Sequence, residues 1–390
     1  MTRQQSRVGP LTATGRPARV LEIDALLDDR DRRIIVCCGA GGVGKTTTSA
    51  ALALRAAEAG RKAVVLTIDP ARRLAQSLGL GELDNTPRPV TGIDTSAGGS
   101  LDAAMLDMKR TFDDVVLAHS TPEKAEQILR NPFYVALSSS FAGTQEYMAM
   151  EKLGQLHGES KRAGRWDLIV VDTPPARSAL DFLDAPEHLS SLLDGRFLRL
   201  LLAPTRGPLR LMSVGFNLVS SAMNKILGSQ IITDVQTFVT AFETLFGGFR
   251  QRAQKTFDLL ASAHTTFVVV ATPDADALRE AAYFVDRLGE ESMPLSGLVV
   301  NRVHRTELDL SAGRAQALAE EMSLDRDPVA VVALERHAAL MQAIERERIL
   351  LDRFAASRAR VLTTRVPALQ SDVTDLDALR LVGHLLAEEN

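Results

Sequence analysis

Cysteine is nearly missing from this 390-residue chain: there are two, Cys37 and Cys38, side by side. Adjacent residues of a strand face opposite sides of a sheet, so the pair reads as two small core residues of a reduced, cytoplasmic protein, neither ligands nor a disulfide. Long apolar runs are missing too. No uncharged stretch reaches the ~18–20 residues that a membrane span needs. The nearest candidate, residues 211–224, is interrupted by polar residues and stops at Lys225. The expectation is a soluble protein without a transmembrane segment. An excess of positive charge is absent as well. With a formal net charge of −4, no global field recommends nucleic acid as a partner. Residues 1–30 read as a flexible tail: its first twenty carry Arg3, Arg7, Arg16 and Arg19 and no acid, but lack the apolar core of a signal peptide.

What is present is a sizeable apolar fraction, 45%, enough for a large α/β core, and one stretch that organises the rest. Ile34-Ile35-Val36-Cys37-Cys38 reads as a buried strand, and it runs into Gly39-Ala40-Gly41-Gly42-Val43-Gly44-Lys45-Thr46 before a helix over residues 47–59. Glycines let backbone N–H groups curl around an oxyanion, the helix points its positive end at the phosphates, and Lys45 adds a mobile cation. Thr46 is the expected Mg²⁺ ligand. The candidate nucleotide-binding set from this stretch is Gly39, Ala40, Gly41, Gly42, Val43, Gly44, Lys45, Thr46 and Thr47.

Residues 62–68 read as a second buried strand that ends at Asp69, placing this acid at the carboxyl edge where open α/β sheets bind ligands. From position alone a helix cap is an equal reading of Asp69. Residues 87–100 suggest a surface loop, residues 101–108 a short strand, and residues 109–158 an inserted helical layer. The strand Trp166-Asp167-Leu168-Ile169-Val170-Val171-Asp172 then ends in an acid. Downstream of a phosphate loop, that carboxylate belongs near Mg²⁺, reached through a metal-bound water. A second helical block spans about residues 187–262. In it Phe238, Phe242, Leu245, Phe246 and Phe249 share one helix face, and residues 211–223 are crowded with apolar side chains. Such faces serve as core or as a client groove. The remainder returns to α/β order: strands over 266–271, 298–301 and 360–366, helices up to 288, over 308–322, 329–356 and 375–386. The last helix has no basic face and does not look like a membrane anchor. The fold class expected is a P-loop NTPase: a mostly parallel central sheet flanked by helices, residues 31–390 forming one domain with the two helical insertions.

The loop resembles the deviant pattern G-K-G-G-V-G-K-T of the MinD and ArsA class of dimeric ATPases, in which the first lysine reaches across the dimer to the partner's nucleotide. That position is Ala40 here. From about residue 33 onward the chain resembles the ArsA family, which includes the arsenite-pump ATPase and the ATPase that targets tail-anchored membrane proteins. DPARRL, from Asp69, is similar to the family's switch I, which implies that Asp69 orients or deprotonates the attacking water. Residues 172–186 resemble switch II. Asn301 is similar to the adenine-contacting asparagine, and Pro367 falls in the segment beside the base. The departures are specific. The cysteine triad of arsenite sites is missing, residues 302–360 lack the zinc-clamping C-x-x-C, and Arg72, Arg73, Ala176 and Arg177 replace family residues in the switches.

The resemblance implies Mg-ATP hydrolysis, with Lys45 and Asp69 as catalytic residues, coupled to opening and closing of a homodimer, or of a heterodimer with a paralogue carrying the signature lysine. A hydrophobic client segment or a membrane protein is the implied partner, and the place is the cytoplasm, with peripheral contact at a membrane left open. Three rivals stand beside this reading: the energy subunit of an anion pump, a nucleotide-gated scaffold with little turnover, and a MinD-like or ParA-like positioning ATPase.

Overall fold

Strands that are apolar throughout, without alternation, are what a sheet covered on both faces needs. In the computed structural model β1 (Ile34–Gly39), β5 (Leu168–Asp172) and β6 (Thr265–Ala271) are buried at every position. They form the centre of an eight-stranded sheet of order β3-β4-β2-β5-β1-β6-β7-β8. The other members are β2 (Lys62–Thr67), β3 (Arg88–Pro89), β4 (Ser100–Met105), β7 (Leu295–Val303) and β8 (Thr363–Pro367). Every pairing is parallel except β3 with β4. The structure describes residues 20–69, 73–131, 134–135, 138, 144–174, 251–324 and 327–388.

The chain divides into two compact units. The first, residues 1–105, 164–179 and 260–390, holds the sheet. Its helices are α1 (Ile23–Asp28), α2 (Lys45–Glu58) and α3 (Arg73–Ser77). The second unit, residues 106–163 and 180–259, is helical where described: α4 (Met108–His119), α5 (Pro122–Leu129) and α6 (Thr144–Ala163). Tyr134 Oη donates to Asp113 at 2.6 Å and Arg252 Nε to Glu151 at 2.9 Å. The last four helices return to the first unit: α7 (Ala275–Glu290), α8 (Ala312–Leu324), α9 (Pro328–Ser357) and α10 (Leu376–Ala387). Asp or Thr side chains cap α4, α5, α7, α9 and α10, two of them with proline in the first turn.

The expected mostly parallel central sheet flanked by helices is observed, with local differences. Residues 20–30, assigned above to the tail, are folded: Leu21 N–H donates to Thr363 O at 3.2 Å and Ile23, Leu26 and Leu27 are buried. Those three at i, i+3, i+4 spacing give α1 an apolar face that packs on α2 and α10. The loop over 87–100 contains β3, which pairs antiparallel with β4, and just past it Val90 N–H donates to Leu101 O at 2.8 Å. The last strand starts at Thr363 rather than at 360, and α8 starts at Ala312 rather than at 308. Several expectations lie outside the described residues: residues 1–19, Arg72, switch II beyond Pro174 with Ala176 and Arg177, and residues 187–250 with the 211–223 segment and Phe238, Phe242, Leu245, Phe246 and Phe249.

Candidate functional site

The phosphate-loop stretch leaves β1 at the carboxyl edge of the sheet, between β5 and β6. Gly39 has φ +151°, and a Cβ there would stand 2.1 Å from Val270 O, so only glycine lets the loop depart beside β6. Gly44, at φ +96°, caps α2 without a side-chain hydrogen bond. The first-turn N–H groups of α2 thus have no side-chain cap, unlike those of the five helices above.

Lys45 is the first residue of α2 and is 6% exposed. Its Nζ donates to Gly39 O at 3.0 Å and Ala40 O at 2.7 Å. Burial pulls its pKa below the ordinary lysine value, and the negative charge of Asp172 works against that shift. One helical residue on, Thr46 Oγ1 donates to Asp172 Oδ2 at 2.8 Å. Thr47 is half-buried beside it.

Asp172 ends β5 with no exposure at all. Its Oδ2 accepts a second hydrogen bond, from Thr67 Oγ1 at 2.9 Å, while Oδ1 has no partner. Burial raises its pKa to about 6, against the hydrogen bonds from Thr46 and Thr67 and the charge of Lys45. Asp69 lies two residues past β2 and is half-buried. Its N–H donates to Thr67 Oγ1 at 3.2 Å, and its charge is felt at both Lys45 and Asp172. Thr67 therefore ties the two acids together. Sequence reading missed it, although its place at the end of β2, two before Asp69, is the signal that could have found it.

Asn301 on β7 reaches the same loop, its Nδ2 donating to Val43 O at 2.9 Å. A Cβ on Gly44 would run into that nitrogen, and the φ of +96° is one that residues with a side chain rarely adopt, so glycine suits this place beside Asn301. Arg302, also missed, donates through Nη1 to Gly42 O at 3.2 Å. Pro367 ends β8 opposite Val303 and is buried. Lys45, Thr46, Asp69, Asp172 and Asn301 are thus gathered around one loop, and Pro367 stands one strand further out.

The donor set suits a hard cation that arrives with phosphate. Thr46 offers a hydroxyl and Asp172 a carboxylate oxygen lacking a partner, both hard oxygen donors. Among the described residues no group of three or more His, Cys, Asp or Glu side chains could hold a metal unaided. Mg²⁺ keeps several waters and is held by one or two protein oxygens plus substrate phosphate, a demand that the Thr46 hydroxyl and the Asp172 carboxylate fit. The thiols of Cys37 and Cys38 are buried in β1, Cys37 pushed up to about 12 and Cys38 also upward, each by desolvation first. They are poor metalloid ligands in that state.

Comparison with known proteins is consistent with this geometry. Residues 32–320 match the model of the ArsA ATPase family, described as anion-transporting ATPase. The chain is 25% identical over 308 residues to ATPase GET3B of Arabidopsis thaliana, covering 73% of this chain and 67% of the relative. To an ATPase ASNA1 homolog of Cryptosporidium parvum it is 28% identical over 280 residues, 71% and 67% of the two chains. To ATPase GET3 of Kluyveromyces lactis it is 26% identical over 297 residues, 74% and 77% of the two.

Proposed function

Because this chain belongs to the anion-transporting ATPase family and is an ATPase, we propose that it is Mg²⁺-dependent and dimeric, and that hydrolysis opens and closes two subunits around a hydrophobic client segment or a membrane-protein partner. The observation that carries the Mg-ATP part is Asp172. A fully buried carboxylate with one oxygen held by Thr46 and Thr67 and the other without a partner is costly unless a further ligand completes it.

In this reading the loop amides and the first turn of α2 bind the β- and γ-phosphate oxygens. Lys45 exchanges two neutral carbonyl acceptors for charged phosphate, a stronger hydrogen bond. Mg²⁺ supplies neutralisation of the β- and γ-phosphate charge when bound. Thr46 and Asp172 are the residues that would hold Mg²⁺, Thr46 through its hydroxyl and Asp172 by supporting the hydration sphere. Asp69 orients the attacking water. Asn301 and Pro367 border the base. The segments after Asp69 and Asp172 act as switches whose order depends on the γ-phosphate. The two helical insertions, as part of one P-loop domain, carry the client surface. The family resemblance supports a tail-anchored membrane protein as that client, and no described helix is long and apolar enough to cross a membrane itself.

An anion-pump role is disfavoured because both thiols lie inside β1. Ala40 favours a second reading: lacking a lysine to donate across a dimer, the pure chain is a slow ATPase that a lysine-bearing paralogue completes. The test is ATP turnover by the purified chain, with sedimentation mass measured with Mg²⁺ and a non-hydrolysable ATP analogue. Turnover lost in Lys45→Ala and a doubled mass are expected; a monomer under every condition contradicts the dimer.

A further inference from the structure

Asn301 and Arg302 are neighbours on β7, and in a regular strand their side chains point to opposite faces of the sheet. Here both reach the phosphate loop, Asn301 at Val43 O and Arg302 at Gly42 O. A bulge makes this possible. Val300 pairs with Arg365 and Val303 with Pro367, so two residues of β7 stand against one of β8. Arg302 absorbs the extra residue at φ +60°. Among the described residues only Ser292 and Arg302 combine a side chain with positive φ, a conformation that persists only where the surroundings impose it. The N–H of Arg302 donates to Asn301 Oδ1 at 3.0 Å, which leaves the amide nitrogen of Asn301 turned to the loop.

We propose that Arg302 is a positioning residue for nucleotide polyphosphate, clamping the outer turn of the loop together with Asn301. The proposal rests on the reading that the loop binds ATP. The C=O of one residue and the N–H of the next point in opposite directions across a planar peptide. Holding Gly42 O and Val43 O on the β7 side therefore turns the Val43 and Gly44 N–H groups away from β7, toward the mouth of the loop. The exposed guanidinium also keeps donors beyond the one given to Gly42 and adds positive charge beside a loop that has Ala40 in place of a lysine. Without the bulge, Arg302 would face away and the loop would have one tether, Asn301.

The test compares Arg302→Gly, Arg302→Ala and Arg302→Lys with the parent and with Lys45→Ala, measuring ATP and ADP affinity, KM, kcat and thermal midpoint. Arg302→Gly removes the guanidinium but suits φ +60° better than arginine, so its midpoint should equal or exceed the parent's. Its ATP affinity should nevertheless fall about three- to tenfold, with KM rising and kcat little changed. Arg302→Ala should lose affinity similarly, and Arg302→Lys should recover part of it. Parent affinity in Arg302→Gly, or a drop in its midpoint that parallels the affinity loss, overturns the proposal. If Lys45→Ala binds ATP as well as the parent, the ATP reading fails and the Arg302 role with it. Loss in Lys45→Ala beside parent affinity in Arg302→Gly removes only the latter.

Discussion

The two ends of one strand pair each bury a cation beside an acid, and they are built differently. At the amino end of β2 and β5, Arg61 is 1% exposed. It places five N–H donors on Asp167 Oδ1, Leu27 O, Asp29 O, Arg32 O and Asp167 O, at 2.7 to 3.1 Å. Nothing is left over for a ligand. At the carboxyl end Lys45 rests on two loop carbonyls, and Asp172 keeps one oxygen without a partner. The full set of partners makes Arg61 a staple of the fold, whereas the Asp172 oxygen beside the phosphate loop leaves room for a further ligand.

Variants at the two ends should therefore fail in different ways. Adding the missing cation has the largest expected effect: Ala40→Lys should raise turnover of the pure chain by ~10³-fold if a trans lysine is what the site lacks. An unchanged rate would show that a cation already present serves. Next, Asp69→Asn should lower turnover by about 10²- to 10³-fold while ATP binding survives. Hydrolysis at the parent rate would remove Asp69 from the mechanism. At the other end, Arg61→Met should cost about 2–4 kcal/mol of stability, read from the urea midpoint, because it removes five hydrogen bonds from a buried guanidinium, although Asp167 Oδ2 keeps Arg30 and the Lys62 N–H. The KM for ATP in the folded protein should stay the same. A shift in KM larger than the stability loss explains would break the distinction between the ends.

The smallest effect is a pH dependence. The pKa of Asp172 is about 6 in the folded protein against 3.8 for the free side chain. The folded state thus binds a proton that the unfolded state releases. The stability this contributes is fully present below about pH 3.8 and is lost as pH rises through about 6. Denaturant midpoints of ligand-free parent and Asp172→Asn, compared across that window, should converge at low pH and separate above it.

Much of this was legible in the sequence, for local reasons. Gly39 to Thr46 announce themselves by spacing after an apolar strand, Asp172 by ending such a strand and Asp69 by following one, because strand ends in a parallel sheet share one edge. Thr67 and Arg302 were not legible. The role of Thr67 depends on β2 lying beside β5, a pairing between residues more than a hundred apart. That of Arg302 depends on a bulge set by the register with β8. The folding of residues 20–30 was hidden likewise, since α1 is short and its apolar face matters only once α2 and α10 are there to receive it.

The most direct test of the central claim is the heat of ATP binding with Mg²⁺ and with Mg²⁺ removed by chelation, in the parent and in Asp172→Asn. An Asp172 that supports the hydration sphere of Mg²⁺ predicts that Mg²⁺ tightens ATP binding in the parent and changes it far less in the variant. Equal tightening in both would contradict the account.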